Sequence, residues 1–291
     1  MATSSPHTLL TDRDHELLAA IDRSPLTVDQ LLKISSTFAE PFGSSSRLRG
    51  RLAALLRAGW VRRWSYAAAT RGTPADYYRL TLAGFRLLYG PDARPPTRRA
   101  FAEIGLAHQH HTRSLADFIV HTVVSAHRHR LAVADFYREN TLRLVVGEES
   151  VLPDCAFRMR LPQCQLNFVV ELDNGTERVR SEKEVESWER KIRLYDAYQD
   201  RVSHRFRVLI VTTRSGDRLQ RILDAAGQLS GNPQRRLFYG IHLADFLRTE
   251  DAVAALCFRD HTGRRVSLVP PSMSFPEESL HDRGVAQVVT V

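Results

Sequence analysis

Lysine is nearly absent from this sequence. Of the 41 basic residues in the 291-residue chain only three are lysines, Lys33, Lys183 and Lys191, and the rest are arginines. Acidic residues are missing from residues 41–75, although seven arginines lie there. Because a guanidinium stays protonated whereas a buried ammonium can lose its proton, the arginine-rich stretch is permanently positive, and lysine is not interchangeable with arginine in this chain.

Cysteine and long apolar runs are also scarce. The three cysteines, Cys155, Cys164 and Cys257, form no CxxC pair, which argues against a zinc ribbon or a disulfide framework and favours a reducing compartment. No run approaches the roughly 20 apolar residues of a membrane span. The N-terminal segment MATSSPHTLLTDRD has neither the basic region nor the apolar core of a secretory signal. We therefore expect a cytoplasmic protein without a membrane segment.

The positive charge is concentrated at one end of the chain. The net charge is +8. Residues 1–100 hold 15 basic and 8 acidic residues, a net charge of +7, whereas residues 101–291 hold 26 and 25, a net charge of +1. Such asymmetry predicts a polyanion-binding module joined to a nearly neutral domain.

The N-terminal third has the pattern of a winged helix-turn-helix. Capping residues and apolar positions at helical spacing predict three helices, which begin near Thr11, near Thr27 and at residues 44–46. The segments WVRRWSY and DYYRLT then predict two strands, and LTLAGFRLL predicts a closing helix. In this motif the third helix enters the major groove of duplex DNA.

The arginines of the predicted third helix and hairpin are the candidate nucleic-acid ligands. Without acidic neighbours they form the electrostatic footprint of phosphate binding. The alternative is a winged helix that binds proteins and whose arginines form a solvated face. The seven candidates are Arg47, Arg49, Arg51, Arg57, Arg62, Arg63 and Arg71.

Composition and periodicity also predict domain boundaries and a fold class. We expect the winged helix-turn-helix at 8–90, a proline-rich linker at 91–100, a second domain at 101–257, and a small hairpin with a disordered tail at 258–291. In the second domain an early antiparallel meander and later β-α-β crossovers predict a mixed sheet covered by helices, an α/β (α+β) class.

Acidic residues lie at the ends of two strands of this meander. The segment FVVELDNG places Glu171 and Asp173 on one face of a strand, and Asp154 lies on the matching face of the preceding strand. If the turn between the two strands is LPQC, the numbers of residues that lie opposite each other sum to 325. Asp154 then lies directly opposite Glu171, since 154 and 171 have that sum. Facing carboxylates repel unless they are solvated or share a divalent cation. In the following helix Lys191 lies on the face toward the sheet, either with a specific role or with its stem bordering the core.

Pro153-Asp154 followed by Glu171-x-Asp173 resembles the motif of the PD-(D/E)xK nuclease superfamily. The resemblance implies that Asp154 and Glu171 bind Mg²⁺ or Mn²⁺ and that a lysine positions or activates the attacking water. Asp173 stands at the lysine position, so Lys191 is the lysine implied, and Glu139 matches an acid that some members contribute. The implied catalytic residues are Asp154, Glu171, Asp173, Lys191 and Glu139.

Over about residues 8–245 the chain resembles the replication-relaxation family of plasmid and mobile-element proteins. The features that carry the resemblance are, in order, YYRLTLAGFRLL, a histidine-bearing helix, LPD, VVELDNGTE and KIRLYDAY. It implies a DNA-binding protein that acts in replication or conjugative relaxation.

Three functions fit these patterns. The first is a protein of a plasmid or mobile element that binds double-stranded DNA, with the nuclease-like domain as a second DNA contact, a partner surface or a site of residual chemistry. The second is a Mg²⁺-dependent endonuclease or nickase that uses Asp154, Glu171 and Lys191. The third is a winged-helix transcriptional regulator that binds paired half-sites as a homodimer.

Overall fold

The computed structural model describes residues 10–67, 74–161, 163–179, 187–232 and 234–269, apart from the side chain of Arg98. The candidate ligand Arg71 therefore lies outside the described residues. The chain divides into two units, Met1–Val124 and Ser125–Val291. The boundaries of the predicted domains and linker stay predictions, because the division between the units falls inside a long helix.

The described part of the first unit is built from short helices and a small antiparallel sheet. Its elements are α1 (Asp12–Arg23), β1 (Leu26–Thr27), α2 (Val28–Ile34), α3 (Ser45–Arg57), β2 (Val61–Ser65), β3 (Asp76–Leu80), α4 (Leu82–Tyr89) and α5 (Leu106–Arg128), whose last turn belongs to the second unit. The strand order is β1-β3-β2. Three helices followed by a strand pair is the element order that the sequence predicts.

Capping boxes fix the starts of the first two helices, as the sequence indicates. The Thr11 side chain accepts a hydrogen bond from the Asp14 amide, and the Asp14 carboxylate accepts one from the Thr11 amide at 2.7 Å. Thr27 and Gln30 repeat this arrangement at the start of α2. These reciprocal bonds satisfy backbone donors that a helix N-terminus otherwise leaves without partners.

The second unit is a mixed sheet with helices packed on it. Its elements are β4 (Ala132–Tyr137), β5 (Leu144–Val146), β6 (Glu149–Val151), β7 (Cys155–Arg160), β8 (Gln165–Asp173), α6 (Trp188–Arg201), β9 (Phe206–Thr212), α7 (Gly216–Leu229), β10 (Phe238–His242), α8 (Leu243–Arg248), β11 (Phe258–Asp260) and β12 (Arg265–Val266). Among the described residues seven strands form one sheet in the order β12-β11-β10-β9-β8-β7-β4.

The sheet confirms the predicted mixed topology. Strands β4, β7 and β8 form an antiparallel meander, whereas β8, β9 and β10 run parallel and are joined by α6 and α7. In the β7–β8 pair Cys155 lies opposite Val170, a register in which residue numbers sum to 325, as predicted. The element order through α5, the meander, α6 and β9 is the one that the nuclease resemblance implies.

Two elements differ from the sequence prediction. Apolar spacing predicts a helix over about 244–256. The helix α8 ends at Arg248, because the Val253 amide donates to Ser125 Oγ at 3.1 Å and the Val253 carbonyl accepts from the Leu268 and Val269 amides. The segment TLRLVV predicts a strand of the meander, but its residues 144–146 form one half of a separate hairpin, β5–β6. The segment SEKEVESWERKIRLYDAYQD predicts a helix, of which the structure describes the part from Trp188 onward.

Helix α6 covers the sheet face that carries the acids of β8. Trp188, Ile192 and Tyr195 of α6 are buried in one apolar cluster with Val169 of β8. The register therefore directs Glu171, two residues beyond Val169, toward α6. No helix in the described part of the chain is both long and apolar enough to cross a membrane.

Candidate functional sites

Five of the seven candidate arginines are exposed on the first unit. Three belong to α3 and two to β2, and the residues are Arg47, Arg49, Arg57, Arg62 and Arg63. The Arg63 guanidinium lies 3.5 Å from the Asp76 carboxylate in a pair whose side chains are both about one third or more exposed, so it keeps access to solvent. These five exposed arginines of α3 and β2 are together called the α3–β2 arginine surface.

Arg51 is placed differently from its neighbours on α3. Its Nε and Nη2 donate to the two oxygens of Asp14, whose side chain is fully buried. Burial raises the pKa of Asp14, but the hydrogen bonds from Arg51 and Thr11 outweigh burial and leave that pKa below its ordinary value. The bidentate pair ties α3 to α1, and we therefore assign Arg51 a structural role and leave it out of the arginine surface.

Glu171 is the most constrained of the acids predicted for the second unit. It is 1% exposed, its Oε2 accepts a hydrogen bond from Lys191 Nζ at 2.8 Å, and its Oε1 accepts one from the Tyr195 hydroxyl. Burial raises the pKa of Glu171 to about 7, the Lys191 ammonium opposes this rise and Asp154 adds to it. Both carboxylate oxygens thus have protein partners.

Lys191 lies between two acids, on the face toward the sheet that the sequence predicts. Its Nζ donates to Glu177 Oε1 at 2.7 Å as well as to Glu171. Burial lowers the pKa of Lys191, but the two carboxylates outweigh burial and hold that pKa above its usual value. The geometry therefore makes Lys191 the ion-pair partner of both acids.

Asp154 and Glu139 are brought close together. One carboxylate oxygen of Asp154 lies within 4.8 Å of one carboxylate oxygen of Glu139. The Asp154 Oδ2 accepts a hydrogen bond from the Leu172 amide at 2.6 Å, which holds Asp154 beside the end of β8. Asp154 also lies near enough to Glu171 to raise the pKa of that buried carboxyl.

Asp173 is engaged in a separate network. The Arg218 guanidinium donates to both of its oxygens at 2.7 Å, and Trp188 Nε1 and Thr212 Oγ1 donate to them at 3.2 and 2.9 Å. Burial raises the pKa of Asp173, but Arg218, Thr212 and Trp188 outweigh burial and lower it overall. These hydrogen bonds join β8 to α6, β9 and α7 and satisfy the carboxylate.

Three residues of these networks were not singled out as site residues from the sequence. Tyr195 shares a helix face with Lys191, and the need of a buried phenol for a hydrogen-bond partner is the signal that could have identified it. Glu177 and Arg218 carry no local signal, because they meet their partners through the crossovers of the fold. Arg218, for example, is 45 residues away from Asp173.

The carboxylates also determine how a divalent cation would fit. Magnesium is usually held by one or two carboxylates together with waters. The close oxygens of Asp154 and Glu139 meet that requirement. Glu171 already accepts hydrogen bonds at both oxygens, although a carboxylate retains further lone pairs. The nuclease resemblance implies Mg²⁺ or Mn²⁺ at the pair of Asp154 and Glu171. The geometry suits the pair of Asp154 and Glu139 better, with Glu171 as a neighbour of the cation site.

Comparison with known proteins gives a family and a distant structural resemblance. The sequence pattern of the replication-relaxation family matches residues 19–210. The structure of the restriction endonuclease FokI aligns with a TM-score of 0.27 and 11% sequence identity, over 84% of this chain and 45% of that chain. The chain thus spans less than half of the restriction enzyme. No curated protein matches the sequence.

The family match agrees with the order of features along the chain. It begins within α1 and ends within β9, so that it includes α3, β2 and the acids of β8. It covers well over half of the 291 residues. The chain belongs to the replication-relaxation family.

Proposed function

We propose that this protein binds double-stranded DNA through the α3–β2 arginine surface. The observation that carries the proposal is the exposure of five arginines within a segment, 41–75, that contains no acid. Such a surface binds DNA mainly by neutralising backbone phosphates and releasing their counterions. The order of helices and strands in the first unit supports a winged helix-turn-helix, in which the third helix enters the major groove.

Family membership supports the biological setting of the proposal. We infer that the DNA belongs to a plasmid or mobile element and that binding serves its replication or relaxation in the cytoplasm. Arginine contacts phosphates and guanine edges alike, so the same surface allows general affinity and sequence reading. The structural role of Arg51 leaves Arg47, Arg49 and Arg57 as the exposed arginines of α3, and the first two are chosen for the test.

A charge-removal experiment tests the proposal. We expect Arg47→Ala/Arg49→Ala to weaken binding of the full chain to a fluorescein-labelled duplex by at least about tenfold, measured by fluorescence anisotropy. The control is Arg86→Ala/Arg205→Ala, which removes two exposed arginines outside the surface. Equal loss in both double variants would show that only net charge matters, and unchanged binding by the first would exclude α3 from the interface.

The cluster of acids in the second unit favours metal-dependent DNA cleavage as a second candidate function. A divalent cation would polarise a phosphate and lower the pKa of a bound water. Asp154 and Glu139 would hold the cation, while Lys191 and Tyr195 keep Glu171 in a fixed orientation beside them. Asp173 contributes to the architecture of this region through its pair with Arg218.

Incubation with plasmid, branched and single-stranded DNA in Mg²⁺ or Mn²⁺ tests this second function. Cleavage should be lost in Asp154→Ala and retained in Asp224→Ala, which alters an exposed acid of α7. Cleavage that survives Asp154→Ala, or that never occurs on any of the substrates, would refute the nuclease function and leave DNA binding unaffected.

A further inference from the structure

Gly50 is a glycine whose presence the folded chain does not explain. It lies in the interior of α3 and is exposed, and a Cβ atom added there would have nothing within 4 Å. Glycine in a helix interior lowers stability relative to alanine, since it costs more backbone entropy. The fold alone would therefore favour alanine at this position.

Two glycines inside other helices of the described chain, Gly84 and Gly227, have a packing reason. A Cβ at Gly84 of α4 would lie 2.1 Å from the Trp60 carbonyl oxygen, a distance that no side chain can occupy. A Cβ at Gly227 of α7 would lie 3.3 Å from the His261 carbonyl oxygen. Gly50 has no such neighbour, so the reason for it is to be sought outside the protein's own packing.

The surroundings of Gly50 form a positive groove. Arg13, Phe42, Arg47 and Arg51 line it together with Gly50, and its volume is about 360 Å³. The Arg13 guanidinium lies 4.5 Å from the centre of the Phe42 ring, and its Nε is buried without a hydrogen-bond partner among the described residues. Arg13 and Arg47 thus border the groove with positive charge, while Arg51 is held by Asp14.

We propose that Gly50 is the point at which α3 lies closest to bound DNA, with the sugar–phosphate backbone of one strand entering this groove. The inference rests on the proposed duplex binding and adds its geometry. Absence of a side chain lets a ligand approach the helix backbone closely, while Arg13 and Arg47 on either side meet the phosphate charge. No acid is among the residues that line the groove, although the exposed Glu40 carboxylate lies 3.9 Å from the Arg13 guanidinium. A groove lined by arginines suits an anionic ligand better than a protein segment of mixed charge.

Substitution of Gly50 tests the proposal, because stability and binding should change in opposite directions. We expect Gly50→Ala to keep or raise the thermal midpoint, by roughly 2–4 °C, since alanine favours the helix. The same variant should weaken duplex binding by about tenfold, and Gly50→Gln should weaken it further. Gly216→Ala is the matched control: this residue begins α7, also has open space around a Cβ, and its substitution should leave DNA binding unchanged.

The outcomes separate this inference from the proposed function. If both Gly50 variants bind the duplex as the wild type does, the groove is not the point of close approach. If Gly50→Ala instead lowers the thermal midpoint, the glycine has a structural role and the inference is also wrong. Absence of duplex binding by the wild type, or binding insensitive to Arg47→Ala/Arg49→Ala, would overturn the proposed function itself.

Discussion

Arg47 and Arg51 lie one helical turn apart on α3, yet their surroundings give them different roles. Arg47 is exposed, whereas the guanidinium of Arg51 is bound to both oxygens of a buried aspartate, Asp14. The spacing of α3 shows that the two share a side of the helix. That spacing does not predict the contact with Asp14, because Asp14 is 37 residues earlier and meets Arg51 through the tertiary fold.

Loss of Arg51 should destabilise the protein, whereas loss of Arg47 should not. Arg51→Ala leaves the Asp14 carboxylate buried without its ion-pair partner, which we expect to lower the free energy of unfolding by about 3 kcal/mol. Arg47→Ala should change it by less than about 0.5 kcal/mol, as exposed substitutions usually do. Urea unfolding followed by circular dichroism measures both, and equal stability of the two variants would contradict the structural role of Arg51.

The Asp14–Arg51 pair should also make stability depend on pH at the acidic end. The folded protein holds the pKa of Asp14 below its ordinary value of 3.8, because Arg51 and Thr11 outweigh the effect of burial. The stabilisation is therefore present above that value and is lost as the pH falls through the lowered folded-state pKa. We expect the stability advantage of the wild type over Asp14→Asn to shrink from about pH 5 to about pH 3. A difference that stays constant across this range in urea unfolding would be inconsistent with a lowered pKa.

At the scale of helices and strands, local pattern predicts well those elements whose neighbours are close in sequence. The capping boxes at Thr11 and Thr27 and the β7–β8 register follow from short-range chemistry, and both are present. The end of α8 does not follow from such chemistry, because residues 249–257 keep apolar spacing but Val253 bonds with Ser125 and with the segment after β12. Tertiary hydrogen bonds there override helix propensity.

The pair of Lys191 and Glu171 joins α6 to β8 and should show energetic coupling between these elements. Lys191→Met leaves a buried carboxylate without its counter-ion, and we expect the free energy of unfolding to fall by about 3 kcal/mol. Glu171→Gln/Lys191→Met should recover part of that loss, so that the double-mutant cycle gives a coupling of about 1 kcal/mol or more. Strictly additive effects in urea unfolding would mean that the ion pair does not connect the two elements.

At the scale of the whole molecule, the sequence predicts the composition of the sites better than their assembly. Charge asymmetry identifies the basic first unit, and the spacing of Asp154, Glu171 and Lys191 identifies the acidic region of the second. The closeness of Glu139 to Asp154 depends on how β4 and β7 are brought together, and the pairing of Asp173 with Arg218 depends on a crossover. Neither contact leaves a local pattern in the sequence.

The salt dependence of duplex binding by the full chain tests the central claim most directly. If the five exposed arginines of the α3–β2 surface each neutralise one phosphate, the logarithm of the binding constant should fall against the logarithm of salt concentration with a slope of about −4.5. Arg47→Ala/Arg49→Ala should make that slope shallower by about 2. An affinity that does not change with salt, or a slope that is the same in the double variant, would contradict DNA binding by this surface.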